Sequence, residues 1–210
     1  MNILIDPLPE SVMIGGAEYR IESGFRTSLL FELLVRDKKI PDHLKLRQML
    51  YLYYPEIPAD EEEAVRQILW FYNCGRKGKE EEPRNRTAKE FRKEKALYSF
   101  EQDALLIYAA FLGQYGIDLQ EIEELHWWKF QALFEGLDDG QRIRKVMRIR
   151  GMDTSGLPPG EAKRIQEWKK LYALEDELTV DHHVKLAQRN RDLKEYVHRR
   201  LEEVTRCVRP

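Results

Sequence analysis

Apolar residues along this chain recur with two different periods, and the change of period comes early. Between Ser11 and Ile21 the string SVMIGGAEYRI sets Gly15-Gly16 between two short runs, the pattern of a two-residue hairpin loop that needs positive φ. Such a turn places Ile14 opposite Ala17 and Val12 opposite Tyr19, with Met13 and Glu18 on the other side. A lone hairpin is marginal in water, so it must pack on a helix. The period then becomes helical. Phe25, Leu29 and Leu33, with Leu30 and Leu34 beside them, predict a first helix. Pro41 and Asp42 open a second, with Leu46, Met49, Leu50 and Tyr53 as its apolar side and Pro55 as its stop. Asp60 with Glu63 reads as the cap of a third, in which Ala64, Ile68 and Phe71 alternate with Val65, Leu69 and Tyr72 and which Gly75 ends.

The longest apolar run is Ala104 to Leu112, which contains neither a charge nor a proline. Ser99 with Gln102 resembles a capping box, so a helix is expected to start there. Being apolar on nearly its whole circumference, it belongs in the middle of a core. Gly113 and Gly116 offer places to stop, and Asp118 with Glu121 marks a second start. The helix expected after it carries Ile122, Leu125, Trp128 and Ala132 on one face. A further helix follows with Ile143, Val146 and Met147 on one side and Arg144, Lys145 and Arg148 on the other. The next opens after Pro158-Pro159 and contains Ile165, Trp168, Leu171 and Tyr172. Leu174 to Cys207 has no proline or glycine, and Leu186, Leu193, Val197, Leu201 and Val204 make a thin apolar stripe. The expectation is a mainly α protein: a helical bundle with a small N-terminal β-hairpin and a long C-terminal amphipathic helix. Its parts are residues 1–74 (hairpin and helices), 75–96 (connector), 97–174 (central helical core) and 175–210 (amphipathic helix).

Composition narrows the class. With 210 residues, 42% of them hydrophobic, the chain can bury a sizeable core. A third of it is charged, yet the formal net charge is only -2, which argues against wholesale attraction to nucleic acid or anionic membrane. Residues 75–96 are the exception, with nine basic against five acidic side chains and almost no apolar ones, which reads as an exposed connector. Cys74 and Cys207 match no ligand spacing, the N-terminus has no basic leader, and no run approaches the length of a membrane helix. These features lead to the expectation of a cytoplasmic chain.

Candidate chemistry is sparse. Asp181, His182 and His183 are consecutive, so the imidazoles sit about 100° apart on a helix, and His198 lies several turns on; a shared metal would want an i, i+4 pair. No serine sits in a glycine elbow, and Gly15-Gly16 does not open a helix as a phosphate cradle does. No catalytic residue, cofactor or metal is therefore expected. Two clusters remain. In His126-Trp127-Trp128-Lys129-Phe130, either one Trp is buried while the other fills a groove, or an exposed Trp anchors a partner. Arg142, Arg144, Lys145, Arg148 and Arg150 have no acid among them. They pair with the acidic stretch Asp118–Asp139 or with an acidic partner more readily than with phosphates, since no stacking platform accompanies them. Trp127, Trp128, Arg144, Lys145 and Arg148 are thus the candidate partner-binding residues.

The strings YSFEQDALLIYAAFLGQYGIDLQEIEELHWWKFQALFEGL, MRIRGMD and IQEWKKLYAL, with the opening MNILIDPLPESVMIGGAEYRIESGFRTSLLFE, resemble the bacteriophage gene-product-fifteen family of long-tailed phages. The resemblance covers most of residues 1–174 and rests chiefly on YSFEQDALLIYAAF and LHWWKF. It implies a non-enzymatic protein of the tail-morphogenesis region, without catalytic residues. By analogy with tail assembly chaperones, it implies binding to the tape measure protein and recruitment of the major tail protein; self-association is a separate possibility, which the resemblance does not supply. The alternatives are a structural virion component, such as a tail completion or connector protein, and a nucleic-acid-binding module.

Overall fold

The hairpin forms in the register its glycines dictate. Strands β1 (Ser11–Ile14) and β2 (Ala17–Arg20) pair antiparallel, with Val12 opposite Tyr19 and Ile14 opposite Ala17. Gly15 and Gly16 take φ of 57° and 83°, the left-handed values a tight two-residue turn requires. Val12 and Ile14 point into the core while Met13 stays exposed. This is a computed structural model, and it describes residues 2–76 and 97–174. Residues Met1–Tyr172 fall in one compact unit. The connector beyond Arg76 and the amphipathic segment from residue 175, with His182, His183, His198 and Cys207, lie outside the described residues.

Seven helices follow the hairpin among the described residues: α1 (Phe25–Arg36), α2 (Asp42–Tyr53), α3 (Glu61–Tyr72), α4 (Ala104–Tyr115), α5 (Trp127–Glu135), α6 (Arg142–Gly151) and α7 (Pro159–Leu171). Helix α1 packs against α2 and α5, α3 against α2 and β1, α4 against α5 and α6, and α6 against α7. One core runs through them, from Val12 and Ile14 through Phe31, Tyr53 and Phe71 to Phe111, Phe130 and Ile143. The cap expected on α3 is present: the Asp60 carboxylate accepts from the Glu63 amide at 2.9 Å. Ala64, Ile68 and Phe71 are its buried face. In α1 the buried face is rotated from the expected one. Phe31, Ser28 and Glu32 are inside and Leu30 is exposed, because Tyr53 and Tyr72 supply partners for the two polar side chains, at 2.9 and 2.5 Å. Likewise Leu46 of α2 is exposed, while Lys45 is buried and donates to the Val35 carbonyl at 2.9 Å.

The central stretch departs furthest from expectation. Ser99 caps a single turn rather than the helix: its hydroxyl accepts from the Gln102 amide, and the Asp103 carboxylate reaches back to the Ser99 amide. Helix α4 begins only at Ala104. It is not surrounded by protein. Ile107, Ala110 and Phe111 are buried, but Leu105 is 83% exposed and Leu112 43%. Helix α4 packs chiefly against α5 and α6, and the face that carries Leu105 and Leu112 is left outside. The second start at Asp118 is also a turn, its carboxylate holding the amides of Gln120 and Glu121. No helix forms between that turn and His126, and carbonyls of this segment have other donors. Arg26 donates to Leu119 and Ile122, each at 2.9 Å, and Gly24 bridges His126 antiparallel. Backbone groups held this way are not free to build a helix ladder.

Burial separates the two neighbouring aliphatic positions of α4. Ile107→Ala is expected to cost about 2–4 kcal/mol in urea unfolding, since it opens a cavity at a residue 4% exposed. Leu105→Ala is expected to stay within about 0.5 kcal/mol of the parent; equal losses at both positions would contradict this placement of the helix.

Candidate protein-docking surfaces

The His-Trp-Trp string is the start of α5. His126 is its N-cap, and the bonding of the ring fixes the tautomer: Nδ1 accepts from the Trp128 amide at 3.0 Å and Nε2–H donates to the Pro9 carbonyl at 3.0 Å. Trp127 is 0% exposed and Trp128 4%. Neither indole is at the surface, so the expectation of an exposed tryptophan anchor at this string is overturned. Both are drawn inward by the end of α3: Trp127 Nε1 donates to the Tyr72 carbonyl and Trp128 Nε1 to the Phe71 carbonyl, each at 2.8 Å. Trp127 also stacks on Tyr72 and Phe130, which in turn stacks on Phe25 and Phe111. Gly75, at φ 67°, lies so close that a Cβ there would sit 2.8 Å from the Trp128 ring, which leaves room for glycine alone.

The basic cluster is divided by the fold. Arg150 turns inward and makes two bonds to Asp103, at 2.6 and 3.0 Å. It also donates to the carbonyls of Leu97 and Tyr172. Arg144 reaches Asp139 at 3.7 Å, a first instance of the expected pairing with the acidic stretch. Lys145 and Arg148 are exposed and, among the described residues, have no ion-pair partner. Beside α6, helix α7 buries none of its residues. Its Trp168 and Leu171 are open to solvent, and the Arg164 guanidinium lies 5.7 Å from the Trp168 ring centre. The sequence marked Trp168 as apolar helix face; only the thin packing of α7 makes it a surface aromatic.

A second surface is the outer side of α4. Leu105, Ala109 and Leu112 recur at helical spacing on it, with Ala104 and Gly113 exposed beside them. The helix carries no charged residue. The signal for this surface was in the sequence, in an apolar run too even to be one-sided.

Chemistry of other kinds finds little here. Burial pushes the Cys74 thiol up to about 11, so it is held as the unreactive thiol. No cluster of three or more His, Cys, Asp or Glu able to hold a metal occurs among the described residues. None of the described helices is long and apolar enough to cross a membrane. The molecule is thus a helical bundle capped by a hairpin, with an apolar and a basic surface as its distinguishing features. The family model described as Bacteriophage Gp15 protein matches residues 4–174, and the chain belongs to that family of phage proteins. Neither a curated protein nor a solved structure matches it.

The cap of α5 makes stability depend on pH. Burial pushes the His126 imidazole below its ordinary 6.5, helped by Lys129 and opposed by the Pro9 carbonyl and Glu10. The unfolded chain therefore binds that proton more readily, so the contribution is complete above about pH 6.5 and is lost as pH falls below it. His126→Asn can still cap the Trp128 amide but does not titrate. It is expected to cost about 1 kcal/mol near pH 8 and to show a shallower decline between about pH 6.5 and 5 in chemical denaturation. Parallel curves for parent and variant would exclude His126 as the source.

Proposed function

We propose that this phage protein acts in tail assembly as a chaperone, holding the tape measure protein soluble and recruiting subunits of the major tail protein. The observation that carries the reading is the uncharged outer face of α4, where Leu105 is 83% exposed. A leucine so exposed on a helix without charges has no role in the core. Apolar helix faces on a long partner need cover until the tail tube encloses them, and helix-against-helix contact is a recurrent way to provide it. The face offers leucines at its centre and small residues beside them, so a partner helix can approach closely. Trp127 and Trp128 take no part, being buried. Membership of the phage family supports the biological setting.

Co-expression with the tape measure protein of the same phage is expected to raise its soluble fraction and yield a complex that co-purifies. Leu105→Glu with Leu112→Glu should abolish the complex while leaving the protein folded by circular dichroism, because Leu105 is 83% and Leu112 43% exposed. A tape measure protein that stays insoluble, or a complex indifferent to the double substitution, would contradict the proposal. Stoichiometric protein in mature particles would favour a structural virion component instead.

A further inference from the structure

Charge is arranged along this chain in two opposed blocks. Residues 97–141 carry nine acidic side chains and one basic, whereas residues 142–172 carry nine basic and three acidic. Folding neutralises only part of this. Asp103 pairs with Arg150, Glu135 with Arg76, and Asp139 with Arg144. Glu121, Glu123 and Glu124, on the loop before α5, remain exposed, as do Arg142, Lys145 and Arg148 on α6. Among the described residues none of these six makes an ion pair. The loop cannot swing across to its own α6, because Arg26 holds the carbonyls of Leu119 and Ile122 and the Trp127 amide donates to Ser23 at 2.8 Å.

We propose that the basic face of α6 and α7 docks the acidic loop 121–124 of a second copy of this chain. Each molecule presents both halves of the contact. A contact that set the basic face against its own copy would oppose like charges, whereas one that sets it against the acidic loop is complementary. Exposed ion pairs alone are weak. The same helices, however, expose Trp168 and Leu171, an apolar centre that a charged rim can surround. A nucleic acid fits less well. Asp138 and Asp139 stand immediately before α6, and a long polyanion laid along that helix would meet them, while a short acidic loop need not.

Sedimentation velocity on the full-length protein tests this without any partner. Association is expected at low salt and should weaken about tenfold or more between about 50 and 500 mM NaCl, as screening of exposed charges requires. Lys145→Glu with Arg148→Glu, and separately Glu123→Lys with Glu124→Lys, should each reduce it by a similar factor. Combining all four substitutions leaves the net charge unchanged and should restore association. Glu61→Lys with Glu62→Lys, on α3, should have no effect, and circular dichroism should show every variant folded. A protein that stays monomeric at low salt, or a fourfold variant that fails to recover, overturns the proposal, as does binding to random duplex DNA in place of self-association. Leu105→Glu should leave self-association intact, so failure here and failure of the tail-assembly reading are separable.

Discussion

One side of the end of helix α3, at Phe71 and Tyr72, faces the core, and the need to satisfy its carbonyls organises much of the fold. The last carbonyls of a helix have no partner within it, and a buried carbonyl left unpaired costs on the order of 1–3 kcal/mol. Here each of the last four finds a donor. Leu69 accepts from the Asn73 amide, Trp70 from Gly75, and Phe71 from Cys74. The Trp128 indole adds to Phe71, and the Trp127 indole serves Tyr72. Two adjacent indoles reach adjacent carbonyls only if α5 starts at residue 127 and lies against that end. The start is set by the His126 cap and by the bridge between Gly24 and His126. The hairpin-side half and the half beyond the connector are thereby joined across a single core.

A second tie, Asp103 with Arg150, fixes the periphery. It joins the turn before α4 to the end of α6 and, through the bond from Arg150 Nε to the Tyr172 carbonyl, to the end of α7. A buried ion pair adds little net stability, since desolvation offsets attraction, but removing one partner is costly. Its effect is to specify where α6 and α7 lie, and so where the basic face and Trp168 are displayed. The large side chains of the core are committed to one another, while Leu105 of α4 and Trp168 and Leu171 of α7 are among the apolar side chains left exposed.

How much of this was legible in the sequence depended on whether the deciding interactions were local. The hairpin register followed from Gly15-Gly16, and the α3 cap from Asp60 and Glu63, because a turn and a cap depend on residues a few positions apart. The buried face of α1 did not follow, since Ser28 and Glu32 are inside only by virtue of Tyr53 and Tyr72 on other helices. The non-helical segment before α5 was hidden for the same reason: Arg26, far away in sequence, takes the carbonyls of Leu119 and Ile122. Evenness of the apolar run in α4 was read as full burial. Periodicity reports how apolar each direction is, and here one direction is apolar without being covered. Trp127 and Trp128 were misjudged as surface candidates because nothing local shows that the end of α3 needs their N–H groups. The basic cluster was half legible, its exposed members by helical spacing and Arg150 not at all.

The central claim is that Trp127 and Trp128 close the end of α3, and hydrogen exchange at the indole N–H groups tests it most directly. Followed by NMR in native buffer, the Nε1 protons of Trp127 and Trp128 are expected to exchange only through global unfolding, with the slowness of the most protected backbone amides. The Trp168 proton, on an exposed ring, should exchange fast. If Trp127 or Trp128 exchanged as readily as Trp168, neither carbonyl of α3 would be closed by an indole and the account would fail.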